Sequence, residues 1–205
     1  MYKIVLPTLT LMLLSILLAV IACTPSSAVP HLTPELSPEP GNSPIEIIIY
    51  TDFQCGACEK LNSEIEPELR RLYVSTGKAD IEVRLLAVLG IDSLRAAEAA
   101  LCAADQGRFL EYQDALFDAW RKKDADAYST EELLKLAESL GLDQETFKLG
   151  FESGGRRAEL EENMNLAKED GVRVLPAVII DGTKLEGYKP LDTYIQVIER
   201  ALATR

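Results

Sequence analysis

The sequence is poor in basic residues. Lysine and arginine together number 21, against 33 aspartates and glutamates, and the formal net charge is −12. Because phosphate binding requires clustered Lys and Arg side chains, this balance argues against nucleic acid as a partner. The acidic residues are spread along the chain rather than gathered in one block, which is typical of a solvated, soluble surface.

Histidine is almost absent, and cysteine is scarce. The one histidine is His31, and the four cysteines are Cys23, Cys55, Cys58 and Cys102. A metal site needs three or four well-placed ligands. Since no histidine follows residue 31, the cysteines in the rest of the chain have too few partners to form such a site. We therefore expect no metal and no other cofactor.

The first 23 residues have the pattern of an export signal. Lys3 carries the only side-chain charge, and an apolar run of 19 residues follows from Ile4 to Ala22. Its end, Val20-Ile21-Ala22-Cys23, resembles the bacterial lipobox, which implies that Cys23 is lipidated and becomes the mature N-terminus. The alternative is an uncleaved membrane helix, since this run is just long enough to span a bilayer. Either way, we expect the rest of the chain to be exported and anchored to the membrane.

Residues 24–44 have the composition of a disordered linker. They contain six of the ten prolines and only two charged side chains, Glu35 and Glu39. Such a segment cannot bury enough apolar surface to fold, and proline keeps it extended. We interpret it as a spacer between the membrane and a domain that spans residues 45–205.

The domain begins with the pattern strand, helix, strand. Ile45–Thr51 is a short β-branched run typical of a buried strand. A helical pattern runs from Gly56 to Ser75, and Pro67 should kink or divide it. Ala79–Val88 alternates apolar and charged residues with strand period. The default connection for this order is a right-handed parallel crossover.

A helical insertion then separates this unit from a second group of strands. Between about residues 92 and 171 the sequence predicts five helices: Asp92–Asp105, Phe109–Trp120, a helix from the capping box at Ser129 to Gly141, Asp143–Phe151 and Arg156–Asp170. Trp120 and Tyr128 are interpreted as packing residues. The strand pair Ala177–Ile180 and Thr183–Glu186 follows, joined at Asp181-Gly182, and a closing helix begins near Pro190. The predicted order is β-α-β, helical insertion, β-β-α.

This order, with a Cys-X-X-Cys sequence between the first strand and the first helix, resembles the DsbA-like branch of the thioredoxin fold. The resemblance covers nearly all of residues 45–205. It rests on these segments: Asp52–Cys58, Ala96–Phe109 with Glu111-Tyr112, Gly171–Pro176, Gly187 and Pro190. It implies an α/β thioredoxin fold and an exported thiol:disulfide oxidoreductase with a redox-active disulfide between Cys55 and Cys58.

The chemistry of thiols favours the same assignment. The thiolate is the form that attacks a disulfide, and the N-terminus of a helix stabilises negative charge through its unpaired N–H groups. We therefore predict that Cys55 is the nucleophile and that Cys58, one turn further on, is the more buried resolving thiol. Gly56 and Ala57 are small and allow the active-site turn to close.

Leu175 and Pro176 are the predicted substrate-binding residues. The resemblance implies a cis peptide bond between them, facing the cysteine pair, with a backbone that pairs with an extended substrate chain. An ordinary trans proline at the start of a strand is the alternative.

Two residues depart from the pattern of the family. DsbA-like proteins commonly carry an acidic residue six positions before the first cysteine, where this chain has Ile49, and Glu46 should face the opposite side of the strand. We expect proton transfer through water or Asp52 instead. Gly56-Ala57 contains no histidine, so we predict a redox potential between the reducing and the strongly oxidising extremes. Cys102 is expected to be a buried, inert thiol, with a third redox thiol as the alternative.

The expected partners are reduced or unfolded exported proteins, and a quinone-linked membrane oxidase of the DsbB-like or VKOR-like type that restores the disulfide. No added dimerisation domain is visible, so we expect a monomer that oxidises its substrates. A reductase or isomerase of the same fold stays open, as does a non-catalytic, membrane-tethered binding module. A purely structural Cys55–Cys58 disulfide is disfavoured, because closing so short a loop contributes little stability.

Overall fold

The computed structural model describes residues 45–122 and 126–204. The predicted signal or anchor, Cys23 and the linker at residues 24–44 lie outside the described residues. No helix within the described ranges combines the length and the apolar composition needed to cross a membrane.

A four-stranded sheet forms the centre of the domain. Its strands are β1 (Ile45–Thr51), β2 (Ala79–Leu85), β3 (Ala177–Ile180) and β4 (Thr183–Glu186). The spatial order is β2-β1-β3-β4, in which β1 and β2 are parallel and the β1–β3 and β3–β4 pairs are antiparallel. Both halves of the chain therefore contribute strands to one sheet, as predicted.

The second strand is shorter than predicted. The sequence pattern extends β2 to Val88, whereas the strand ends at Leu85. The reason is that the backbone N–H groups of Val88 and Leu89 are bound by the side chain of Asp52, at 2.9 and 3.2 Å. A carboxylate from the end of β1 thus replaces a strand partner and turns the chain out of the sheet.

The helix after the cysteine motif is divided at Pro67, as predicted. It consists of α1 (Gly56–Lys60), a π-helical segment (Leu61–Ile65), α2 (Glu66–Leu69) and a second π-helical segment (Arg70–Val74). Pro67 lies in the first turn of α2. Proline has no backbone N–H to donate there, so the hydrogen-bonding pattern changes register on its N-terminal side.

Among the described residues, five helices lie between β2 and β3, and a sixth follows β4. They are α3 (Ile91–Ala104), α4 (Phe109–Lys122), α5 (Thr130–Ser139), α6 (Gln144–Ser153), α7 (Arg157–Glu169) and α8 (Leu191–Ala203). Ser129 caps α5 by accepting from the backbone N–H of Glu132, as its capping box predicts. The prediction that Asp92 caps α3 is wrong: the helix starts at Ile91, after Gly90, and Asp92 pairs with Arg95 inside the first turn.

The two faces of the sheet pack into two apolar layers. Ile45, Ile47 and Ile49 of β1 join the larger core, together with residues from the helices. Ile48 and Tyr50 face the other way and pack with Ala167 of α7 in a smaller cluster. This alternation buries β1 on both sides and leaves its C-terminal end as the place where the cysteine motif emerges.

Candidate active site

The two cysteines of the motif lie at the start of α1 and differ in exposure. Cys55 is the residue that caps the helix, with extended backbone angles of φ −93° and ψ 113°, and it is partly exposed. Cys58 lies inside the first turn and is 0% exposed. The sulfur of Cys55 is therefore accessible to solvent, and that of Cys58 is buried.

Cys55 is in surroundings that stabilise a thiolate. The backbone N–H of Cys58 donates to the Sγ of Cys55 at 3.4 Å. A hydrogen bond from the Cys58 thiol, followed by backbone hydrogen bonds from Cys58 and Ala57, lowers the pKa of Cys55 to about 6, against the opposing effects of burial and the charge of Asp52. At neutral pH the thiolate is therefore favoured over the thiol.

Cys58 has the opposite character. Burial, followed by its hydrogen bond to Cys55, raises the pKa of Cys58 far above the ordinary value for a thiol. It therefore holds its proton throughout the range in which Cys55 ionises. The arrangement can supply an attacking anion at one sulfur and a proton-bearing thiol at the other, which is the asymmetry that thiol–disulfide exchange requires.

The second predicted part of the site reaches the same end of the sheet. Ala177, the first residue of β3, pairs with Tyr50, so Pro176 is level with Thr51, the last residue of β1 before the segment that leads to the cysteines. Leu175 and Cys55 pack against the same apolar core. The peptide bond between Leu175 and Pro176 is cis, as predicted.

Asp52 is fully buried beneath the motif. One of its carboxylate oxygens accepts from the backbone N–H of Gln54 and the hydroxyl of Ser93, at 2.8 and 2.7 Å. The other oxygen accepts from the backbone N–H groups of Val88 and Leu89. These four hydrogen bonds tie the active-site turn to the segment after β2 and to α3. The sequence analysis proposed Asp52 only as a route for proton transfer and did not predict these hydrogen bonds.

Strand β1 has no carboxylate six positions before Cys55, where DsbA-like proteins commonly carry one. Ile49 is 1% exposed within the larger core. Glu46 is exposed and belongs to the opposite face of β1, as the alternation of the strand predicts.

Trp120 is a packing residue, as predicted, but the sequence did not show that it packs on the active-site turn. Its indole ring lies against Gly56, and a Cβ at that position would be only 2.8 Å from Cη2 of the ring. The contact brings the end of α4 onto the active-site turn, and no local pattern around Trp120 predicts it. Tyr128 is buried, as predicted for a packing residue, and its hydroxyl donates to the carbonyl oxygens of Phe53 and Leu116.

Cys102 has the properties of an inert thiol. It is 3% exposed in the larger core, and burial raises its pKa to about 12. Its Sγ would lie 3.3 Å from a Cβ placed on Gly150, so α3 and α6 are packed closely around it. Cys55, Cys58 and Cys102 are all free thiols. Within residues 45–122 and 126–204, no group of three or more His, Cys, Asp or Glu side chains could hold a metal ion.

Comparisons with known proteins agree with this geometry. The family model described as thioredoxin matches residues 41–200. The probable disulfide bond formation protein D of Bacillus anthracis is 28% identical over 146 residues, which cover 69% of this chain and 67% of that protein.

Two crystal structures share the fold. DsbA from Chlamydia trachomatis superposes with a TM-score of 0.72 at 22% identity, covering 82% of this chain and 92% of that one. Oxidised BdbD from Bacillus subtilis superposes with a TM-score of 0.71 at 18% identity, covering 83% and 94% respectively. The predicted thioredoxin fold with a helical insertion is thus confirmed.

Proposed function

The chain belongs to the thioredoxin family, and we propose that it is a DsbA-like thiol:disulfide oxidoreductase that introduces disulfide bonds into exported proteins. The observation that carries the proposal is the asymmetry of the cysteine pair. Cys55 is partly exposed with a pKa lowered to about 6, whereas Cys58 is sealed and has a raised pKa. A binding module without catalysis has no need of an ionised thiol at its surface.

Transfer of the disulfide to a substrate takes two exchange steps. In the oxidised protein, a substrate thiolate attacks the Sγ of Cys55, the Cys55–Cys58 bond breaks, and Cys58 leaves and takes up a proton. A second substrate thiolate then attacks the substrate sulfur of the mixed disulfide and releases Cys55 as a thiolate. The substrate gains one disulfide, and the protein retains two electrons. The low pKa of Cys55 makes it a good leaving group in this second step.

Leu175 and Pro176 are proposed to bind the substrate. Their position beside the end of β1 suits an extended chain that runs past Cys55 and pairs with their backbone. Gly56 and Ala57 form the turn between the two sulfurs, and Gly56 leaves room for the ring of Trp120.

The remaining partners and the location are part of the same proposal. The electrons left on Cys55 and Cys58 have to pass to an oxidant, for which we propose a quinone-linked membrane enzyme of the DsbB-like or VKOR-like type. Residues 1–23 direct export, and lipidated Cys23 or an uncleaved helix anchors the protein outside the cytoplasm. We expect it to act there as a monomer.

The test is oxidation of a reduced, unfolded protein by the oxidised full chain, followed by loss of free thiols. The Cys55→Ser and Cys58→Ser variants should be inactive, and Cys102→Ser should match the wild type. The in vivo redox state of the pair then fixes the direction: a mostly oxidised pair supports disulfide donation, and a mostly reduced pair would make the protein a reductase or isomerase. Incorporation of a labelled fatty acid that is lost in Cys23→Ser tests the anchor.

A further inference from the structure

Two side chains of the edge strand β4 hold the segment that leads into Pro176. The carboxylate of Glu186 accepts from the backbone N–H groups of Arg173 and Val174 through one oxygen, at 2.6 and 3.3 Å. Lys184, two residues earlier and therefore on the same face of β4, donates from Nζ to the carbonyl oxygens of Asp170 and Gly171. These two side chains therefore bind four backbone groups within residues 170–174.

The charges match the groups that they bind. The ammonium group of Lys184 meets carbonyls at the C-terminal end of α7, which is the negative end of a helix dipole. The carboxylate of Glu186 meets two N–H donors, and the bond from Arg173 is the main cause that lowers the pKa of Glu186. Nζ of Lys184 and Oε1 of Glu186 lie 4.0 Å apart, so the two contacts form one unit.

The segment is also fixed at both of its ends. The hydroxyl of Tyr50 donates to the carboxylate of Asp170 at 2.6 Å. Beyond the proline, the backbone N–H of Gly187 donates to the carbonyl of Pro176 at 2.8 Å. Between these ends, the exposed residues Arg173 and Val174 are those whose backbone N–H groups Glu186 binds.

The hydrogen bonds of Lys184 and Glu186 determine which backbone groups are left to pair with an incoming peptide. Strand addition needs N–H and C=O groups that have no partner within the protein. The N–H groups of Arg173 and Val174 are occupied by Glu186, whereas the N–H of Leu175 makes no hydrogen bond within residues 45–122 and 126–204. Leu175 is half-buried and directly precedes Pro176.

We propose that Lys184 and Glu186 are positioning residues for substrate binding, which hold residues 170–174 so that Leu175 is the pairing point for an extended, cysteine-containing peptide. This inference rests on the proposed function. The two residues touch neither sulfur, and they act through the conformation of the segment. Their loss should therefore weaken the binding of peptides and leave the chemistry of Cys55 unchanged.

The test compares Glu186→Ala, which removes the acceptor, with Glu186→Gln, which keeps a carbonyl oxygen in its place. With the full chain and a cysteine-containing peptide, Glu186→Ala should raise KM about tenfold, equivalent to about 1.4 kcal/mol of binding, because the segment that presents Leu175 is no longer held; kcat should be unchanged. Glu186→Gln should restore most of the binding. The reaction of oxidised glutathione with Cys55, and the pKa of Cys55, should match the wild type in both variants.

Glu199→Ala is the matched control. Glu199 is also a glutamate that accepts a hydrogen bond, from the hydroxyl of Tyr73, but it lies on α8. The Glu199→Ala substitution should leave KM for the peptide unchanged.

Two results would overturn the inference alone: a KM for Glu186→Ala equal to that of the wild type, or equal losses with peptide and glutathione. If the wild type exchanged with neither the peptide nor glutathione, the proposed function would be overturned, and this inference with it.

Discussion

The backbone N–H of Cys58 donates to the Sγ of Cys55 over 3.4 Å, so the two cysteines are hydrogen-bonded to each other while both are reduced. One residue thus supplies both a backbone donor and a side-chain donor to the sulfur that has to carry the charge. The acidity of Cys55 therefore depends on the presence of its neighbour as well as on the helix that it caps.

The first prediction concerns the side-chain donor. Cys58→Ala should raise the pKa of Cys55 above its value of about 6, because the thiol of Cys58 is the largest cause of the lowering. Cys58→Ser keeps a hydroxyl donor and should stay closer to the wild type. Titration of the ultraviolet absorbance of the thiolate measures both. Identical pKa values in the two variants would contradict this account.

The second prediction is a pH dependence of stability that differs between the redox states. The pKa of Cys55 is lowered from 9.0 to about 6 in the folded reduced protein, so ionisation stabilises that state above pH 9. This contribution should decline between pH 9 and pH 6 and be absent below pH 6. The oxidised protein has no such thiol. Thermal unfolding of both forms across this range should show the reduced form losing more stability on acidification, and parallel curves would refute the prediction.

The third prediction concerns the charge of Asp52. Its carboxylate opposes ionisation of Cys55, so Asp52→Asn should lower the pKa of Cys55, stabilise the reduced state and make the protein more oxidising in equilibrium with glutathione. The variant should also lose roughly 1–3 kcal/mol of stability, since an amide nitrogen cannot accept the hydrogen bonds that one carboxylate oxygen receives.

Ser93→Ala is the control for Asp52. It removes one donor and leaves the charge in place, so stability should fall by about 1 kcal/mol while the pKa of Cys55 stays as in the wild type. If Asp52→Asn and Ser93→Ala changed the pKa of Cys55 by the same amount, the effect of Asp52 would come from its hydrogen bonds and not from its charge.

The fourth prediction concerns the contact between Gly56 and Trp120. A methyl group at Gly56 would lie 2.8 Å from the indole ring, so Gly56→Ala should force the ring to move and cost about 1–3 kcal/mol. Trp120 is the only tryptophan, so a changed emission spectrum reports the movement directly. In a Trp120→Leu background the same substitution should cost less, and an unchanged cost in this double-mutant cycle would exclude the contact as the cause.

The fifth prediction is that Cys102 takes no part in exchange. It is buried, and its pKa is raised to about 12, so it should resist alkylation in the native protein at neutral pH while Cys55 reacts. Cys102→Ala should keep full exchange activity with a modest loss of stability from the small cavity. Loss of activity in a folded variant would revive the interpretation of Cys102 as a third redox thiol.

Much of the fold could be read from local patterns. The β-branched run of β1, the division of the first helix at Pro67 and the capping box at Ser129 each reflect interactions between residues close in sequence. The errors occurred where a distant residue intervened. Val88 is in a strand pattern but leaves the sheet because Asp52 binds its N–H. Helix α3 starts before Asp92, and the amide oxygen of Gln54 accepts from the backbone N–H of Ser93 in its first turn.

The low pKa of Cys55 follows from features that lie close together in the sequence. The first turn of the helix supplies backbone N–H donors, and Cys58, three positions further on, supplies a thiol donor to the same sulfur. The tertiary structure decided what surrounds the two cysteines: Trp120 over Gly56, Asp52 tied to α3, and Lys184 and Glu186 clamping the segment before Pro176. Each of these contacts joins residues on separate elements, and only the packing of the sheet and helices brings them together.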